Sequence, residues 1–373
     1  MFLSKSLKST IGAIFVMTGT IIGVGFFALP YLTVQVGIPV MLFYFIVIGG
    51  LIALVHWCFG EVALNTPDFL RLPGYCEHYF GKLGKGLAFW ISVIGSYGSI
   101  LAYLVIGGKF LHNILGNVLG SSDFIYCLIY FLFGVILVAL GTNSVRNISG
   151  IDVAILLFFI IYLASFGRHY FGIGSLLTTS PSWNNIFLPY GPILFSLWGA
   201  TMIPEIEEMM RDNKRYLKKA VVVGVIISII FYLIFSILVS GLTGQNTSDD
   251  AISGLKAIFG SQLVLIGSIM GLITTFTSFV AIALTQRKIF NYDLRLKKGT
   301  SIILVFVVPL ALFIIGFQDF IGIISFFGGV AMGLEGILIM MMYYKVSKRI
   351  WLALPLTLIF LGGMVYEIIT VLK

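Results

Sequence analysis

The chain has 373 residues, of which 59% are hydrophobic and 10% charged, with a mean hydropathy of +1.07. Soluble domains carry about 25% charge, so this is an integral membrane protein with many spans. The net charge of +8 does not indicate nucleic acid, because the basic residues sit in short loops between apolar runs, where they act as an orientation signal.

The apolar runs are too long and continuous for barrel strands, which need about ten alternating residues. The fold class is therefore all-α. A span takes about twenty apolar residues. By that measure eleven transmembrane helices are expected, at 10–35, 38–63, 86–111, 123–141, 150–168, 187–208, 219–241, 261–285, 299–316, 320–344 and 350–371. They make one transmembrane domain over residues 1–373. The N-terminus, M-F-L-S-K-S-L-K, has the look of a signal-peptide n-region, but the run after it is too long and ends in no small-residue cleavage site. It is read as a retained first helix. Cys58, Cys76 and Cys127 form no C-x-x-C pair and no metal spacing.

The first span contains G-T-I-I-G-V-G-F-F-A-L-P, residues 19–30. Its three glycines and one proline are poor helix material. In lipid, each unpaired N–H or C=O costs several kcal/mol unless protein, water or a ligand satisfies it. A chain that breaks its first membrane helix is therefore expected to use those groups to hold a small polar solute, and an ion, at mid-membrane. Span six repeats the device in Y-G-P-I-L-F-S-L-W-G-A-T-M-I-P, residues 190–204.

With the N-terminus placed inside, the inner side holds nineteen of the 23 basic residues, and the outer side only Lys109, Arg168, Lys256 and Lys373. This asymmetry supports both the span count and a cell-membrane topology with a cytoplasmic N-terminus and an outer C-terminus. Spans one to five recur as spans six to ten at an offset of roughly 175 residues. Five is odd, so the second copy is inverted. The repeats cover about 10–168 and 187–344, and the helix at about 350–371 stands outside them. Spans three (Ser92, Gly95, Ser96, Ser99, Ala102) and eight (Ser268, Gly271, Thr274, Thr275, Ser278, Ala281) carry small and hydroxyl residues at helical spacing. These permit close packing and bonds between helices.

Gly23-Val24-Gly25 with Ala28 fits a dinucleotide-binding pattern, but it lies in a membrane span, without the strand that pattern requires. No Walker loop, H-E-x-x-H or G-x-S-x-G is present, and His56, His78, His112 and His169 are scattered. No enzyme and no cofactor are expected.

The first-helix motif resembles that of the amino acid/auxin permease branch of the amino acid–polyamine–organocation superfamily. So do R-L-P-G-Y at 71–75, followed by Gly81, Tyr97 and Tyr103, and Ile203-Pro204-Glu205 running into the basic stretch 211–219. The resemblance covers most of the chain. It implies a five-plus-five inverted repeat of the leucine-transporter type, with helices one and six unwound at mid-membrane. It also implies ion-coupled uptake of amino acids.

A zwitterion suits such breaks. N–H groups where helix one restarts favour a carboxylate, which assigns that group to Gly23, Val24 and Gly25. Carbonyls where a half-helix ends favour an ammonium group. They are expected near Ser196, Leu197 and Trp198, before the break at Gly199. Tyr97 and Trp198 are candidates to line the side-chain pocket, or else face lipid or pack against neighbours. In sodium-coupled relatives span eight supplies hydroxyl ligands. Thr277 and Ser278, with carbonyls near Thr20 and Gly23, form the corresponding oxygen set here. The plain alternative is that these hydroxyls bond back to their own helix. Some proton-coupled relatives instead place a lysine in span five, which this chain lacks.

Glu335 is the acid deepest in an apolar span. It is a candidate for proton coupling, or for a structural hydrogen bond. His56 is expected to be a satisfied buried histidine, Glu61, Asp152 and Glu367 to lie near span ends within reach of water, and Glu205, Glu207 and Glu208 to mark the inner exit of span six.

The expectation is a secondary active transporter in the lipid bilayer that takes up neutral or aromatic amino acids with H⁺ or Na⁺ by alternating access. The alternatives are a polyamine or organic-cation permease, in which Glu335→Gln abolishes binding itself, a membrane-embedded enzyme, or a channel, which saturable counterflow would exclude.

Overall fold

The computed structural model describes residues 5–140, 151–179, 181–183 and 185–372. Arg146 and Lys373 lie outside the described residues, as does the side chain of Asp152. The described residues form fifteen α-helices linked by short 3₁₀ and π turns, with no strand among them. Each of the eleven expected spans coincides with a helix, or an interrupted run of helices, to within a few residues, except where α4 and α11 extend further.

Span one is α1 (Lys5–Ile21), a 3₁₀ turn (Gly25–Ala28) and α2 (Leu29–Val36). Its two limbs meet at 56°. Gly23 and Gly25 interrupt the first limb, and Pro30 sits in the opening turn of the second, where its missing N–H costs nothing. Gly37 ends α2 with φ of 81°. Span two is α3 (Ile38–Leu64), and span three lies in α4 (Leu72–Leu119). Spans four and five are α5 (Asp123–Leu140) and α6 (Ile151–Gly167), and α7 (Gly174–Thr178) is a short connector.

Span six breaks like span one. It runs as α8 (Tyr190–Leu197), a 3₁₀ turn (Ala200–Met202) and α9 (Ile203–Met209). Trp198, at ψ 117°, is the extended residue between the halves. Span seven is α10 (Leu217–Thr243), span eight lies in α11 (Lys256–Asp293), and span nine is α12 (Lys298–Ile314). Span ten is α13 (Phe320–Phe327), a π turn (Gly328–Met332) and α14 (Gly333–Ser347), and span eleven is α15 (Ile350–Leu372).

α4 and α11 share a feature. Each opens with a short helix joined to the long span by a glycine in a conformation closed to other residues: Gly81 at φ 69°, ψ −163° and Gly260 at φ 74°, ψ −179°. The two long helices pack against each other and, with α5 and α12, form one side of the molecule. Their small residues allow this approach. Several of their hydroxyls bond within their own helices: Ser96 donates to Ser92 O at 2.8 Å, Ser99 to Gly95 O at 3.0 Å and Thr275 to Gly271 O at 2.7 Å. α10 packs along α1, α2 and α3, so the two interrupted spans are framed by unbroken rods.

Candidate functional site

The two breaks lie against each other. A Cβ built on Gly25 would stand 2.2 Å from Ser196 Oγ and 2.9 Å from Ser196 Cα. Gly25 is therefore required by close backbone approach. The surrounding rings are tightly packed. Phe26 stacks on Phe27 at 4.1 Å and on Tyr232 at 5.9 Å, and meets Phe235 edge-on at 4.8 Å.

Polar side chains from unbroken spans meet the main chain of the breaks. The Val24 N–H points at Tyr103 Oη from span three, 3.4 Å away, and a Cβ on Gly23 would sit 2.7 Å from that same oxygen. Tyr232 of span seven reaches both breaks. Its hydroxyl donates to Ile21 O at 2.6 Å and stands 3.1 Å from Ser196 O. The Gly199 N–H donates to His56 Nε2 at 3.0 Å. His56 Nδ1 lies 2.6 Å from Ile52 O, a contact that needs the proton on Nδ1 and leaves Nε2 as the acceptor. His56 is thus the satisfied buried histidine expected from sequence.

Trp198 links the second break to span ten. Its indole Nε1–H donates to Glu335 Oε2 at 2.8 Å, and its ring meets His56 edge-on at 5.2 Å. Glu335 is 5% exposed, and its Oε1 has no hydrogen-bond partner among the described residues.

The hydroxyls of Tyr97, Thr20 and Thr277 bond to helix carbonyls. Tyr97 is half-buried and donates to Leu304 O of α12 at 2.9 Å. Thr20 is exposed, and its hydroxyl bonds back to Val16 O at 2.9 Å. Thr277 bonds back to Ile273 O at 3.1 Å and Thr274 O at 3.0 Å, and Ser278 is half-buried beside it. Leu197 closes α8 and is fully buried. The Ser196 hydroxyl turns back to Pro192 O at 2.6 Å, leaving its carbonyl directed to Tyr232.

Ion pairs among the described residues gather at two rims. At one, Arg71 pairs with Glu205 at 2.5 Å, and the fully buried Glu207 accepts from Tyr75 Oη at 2.9 Å and Lys214 Nζ at 2.8 Å. Lys218 pairs with Glu61 and lies over the Trp57 ring. These contacts tie α9 to the 64–85 connection and to the turn after it, and the start of α10 to the end of α3. At the other rim, Lys109 pairs with Asp249 and His112 with Asp123, around a cavity of about 200 Å³ also lined by Asn113, Asp250 and Ser253.

Sequence reasoning gave Tyr103 and Tyr232 no role at the breaks. A readable signal existed for the second. Ser228, Tyr232, Ser236 and Ser240 form an i, i+4 polar stripe in an otherwise apolar span, and all four are fully buried. Glu367, expected near a span end within reach of water, is only 3% exposed. Span eleven turns its few buried positions inward there.

A model of the tryptophan/tyrosine permease family matches residues 6–372. The chain belongs to that family. This corrects the resemblance to the amino acid/auxin permease branch: two of the motifs that carried it, at 19–30 and 203–205, lie at interrupted helices, and an interrupted helix marks the fold rather than the branch. The chain is 25% identical over 285 residues to "Tyrosine-specific transport system 1" of Haemophilus influenzae, covering 72% of this chain and 70% of that one. Among solved structures it is similar to MhsT in complex with L-phenylalanine, with a TM-score of 0.68 at 15% identity over 96% of this chain and 98% of that one. It is also similar to Mhp1, a nucleobase-cation-symport-1 family transporter, in a closed conformation with bromovinylhydantoin bound (TM-score 0.66, 12% identity, 97% and 93% covered). The inward-facing conformation of Mhp1 gives a TM-score of 0.68 at 15% identity, with 97% and 89% covered. The fold is that of the leucine-transporter type, and this member of the permease family is a multi-pass membrane transporter of amino acids rather than an enzyme.

Proposed function

We propose that this permease takes up an aromatic amino acid, tyrosine or tryptophan, together with protons. The observation that carries the reading is the Trp198–Glu335 hydrogen bond of 2.8 Å, which joins the break in span six to a buried acid. An intramembrane carboxyl is costly, by about 3 kcal/mol or more at mid-helix, and is kept where it works. Here it holds the indole that follows the last turn of α8. Protonation of Glu335 exchanges an anionic acceptor for a neutral one. That weakens its hold on Trp198 and couples proton binding to the position of span six.

The substrate is held chiefly by main chain. The carboxylate is received by the N–H groups of Gly23, Val24 and Gly25, in place of the Tyr103 hydroxyl now beside Val24. The ammonium group is received by carbonyls around Ser196, Leu197 and Trp198, next to Gly199. Trp198 forms one wall of the side-chain pocket, and Tyr97 supports the scaffold through α12. The Na⁺ reading with Thr20, Gly23, Thr277 and Ser278 is less favoured, because the two threonine hydroxyls are turned to their own helices.

The family match and the tyrosine-transporting relative support an aromatic substrate, and L-phenylalanine in MhsT shows that a transporter of this fold accepts one. The matched glycines 81 and 260 support a five-plus-five inverted repeat, and the charge asymmetry supports a cytoplasmic N-terminus and an outer C-terminus in the cell membrane. In transport, the interrupted spans one and six move against α4, α5, α11 and α12. The Arg71–Glu205 and Lys214–Glu207 pairs part when the inner side opens.

The test is uptake into proteoliposomes across an amino acid panel, with pH and Na⁺ gradients imposed separately. Accumulation of tyrosine or tryptophan driven by a pH gradient alone is the expected result. Accumulation that requires Na⁺ overturns the proton reading, and preference for polyamines overturns the substrate.

A further inference from the structure

The carboxyl of Glu367 is buried at the beginning of the broken half-helix of span six, and the transport scheme above gives it no role. α15 is largely turned away from the protein. Its buried residues Ala353, Leu356, Phe360 and Glu367 form one stripe, so the acid occupies the inward face of an otherwise lipid-facing helix. The stripe leads to the first turn of α8. The Gly191 backbone N–H faces the carboxyl, while Oε1 has no hydrogen-bond partner among the described residues.

The junction is tight. A Cβ on Gly329 would stand 2.3 Å from Glu367 Cγ, and one on Gly191 would stand 2.6 Å from Oε1. Gly329 lies in the π turn of span ten, an irregularity that often marks functional positions. The titratable groups around Glu367 are the phenols of Tyr190 on α8, Tyr44 on α3 and Tyr366 on its own helix. Ser325 of α13 adds a hydroxyl that also lacks a partner among the described residues. α8 is therefore held at both ends by buried acids from two different spans: Glu367 at its first turn and Glu335, through Trp198, just past its last.

The two protonation states of Glu367 favour different positions of α8. As an anion, the carboxyl is stabilised by the N–H groups and positive end of the half-helix, and among the described residues no cation pairs with it. As a neutral acid it loses that attraction and gains an O–H that must find an acceptor. We propose that Glu367 is a second proton-binding residue: ionised, it latches the first half of span six to span eleven, and protonated, it releases it. No bond other than O–H is made or broken, and the proton comes from one aqueous side and leaves to the other. The inference rests on the proton-coupled reading above.

The experiment uses the full chain in proteoliposomes, with the membrane potential clamped and a pH gradient of one unit. Each coupled proton then supports about tenfold accumulation. The wild type is expected to approach about a hundredfold and Glu367→Gln about tenfold. Counterflow exchange should persist in the variant, and Glu367→Asp should restore part of the loss. A Glu367→Gln variant that accumulates and responds to pH as the wild type does overturns the proposal. If that variant fails to insert, the wild type decides through labelling with a hydrophobic carbodiimide, which attacks protonated buried carboxyls. Modification of Glu367 that declines as pH rises is expected. Labelling independent of pH, or none, overturns the proposal. Wild-type protein that shows no proton-driven accumulation removes the underlying reading instead, whatever Glu367 does.

Discussion

Gly25 and Ser196 bring the two interrupted spans into backbone contact: a methyl group on the glycine would overlap the serine hydroxyl at 2.2 Å and its Cα at 2.9 Å. Because one clashing atom is backbone, no rotamer change relieves it. Gly25→Ala is expected to reduce uptake at least about tenfold, the equivalent of about 1.4 kcal/mol, while membrane insertion is retained. Initial-rate uptake alongside surface quantitation checks this, and near-normal rates would contradict it.

Gly23 offers a sharper version. The atom nearest a Cβ there is the Tyr103 hydroxyl, at 2.7 Å. Gly23→Ala should impair uptake, and Tyr103→Phe in the same chain should ease the clash and stabilise the alanine variant. A double-mutant cycle on thermal stability in detergent reads the coupling, expected at about 0.5–3 kcal/mol. Strict additivity would mean that the two do not meet.

Glu335→Gln keeps an acceptor for the Trp198 indole but cannot carry a proton. Counterflow of labelled tyrosine should continue, and accumulation driven by a pH gradient should fall. Loss of binding itself would point to a cationic substrate instead.

Tyr232→Phe removes the hydroxyl at two main-chain carbonyls, Ile21 O at 2.6 Å and Ser196 O at 3.1 Å. Leaving a buried carbonyl unpaired costs about 1–3 kcal/mol. The variant should melt at a lower temperature in detergent, and unchanged melting would show that the carbonyls find other partners.

Gly81→Ala and Gly260→Ala test the bends that precede spans three and eight. A Cβ at either position meets open space, so any effect comes from the backbone conformation alone. Each should destabilise the protein by about 1–3 kcal/mol. Similar costs at the two sites would fit equivalent positions in a repeat.

The architecture was largely legible in the sequence because lipid imposes it. Span length and the glycine–proline interruptions at 19–30 and 190–204 follow from one rule, that main-chain polar groups in a bilayer must be satisfied. The side chains that satisfy them were harder to find. A tyrosine in an apolar span reads the same whether it packs or caps, so Tyr97 was favoured over Tyr103, although only Tyr103 meets a break. Glu367 escapes notice in the sequence because a position near a span end suggests access to water. Its burial depends on Gly191 and Gly329, which lie far away in sequence. The family branch was misread for a similar reason: motifs for a broken helix are shared by lineages that handle different solutes.

Tyr232 has a single hydrogen and faces two acceptors. Ile21 O, at 2.6 Å, holds it more closely than Ser196 O, at 3.1 Å. The serine carbonyl, near the end of its half-helix, is thus the runner-up in a contest that only one can win. An incoming amine would settle the rivalry by supplying a donor of its own, leaving the phenol wholly to the other rod. Cargo would then tighten the grip between spans one and seven without touching the phenol that makes it, and an empty carrier would stay looser at that seam than a loaded one.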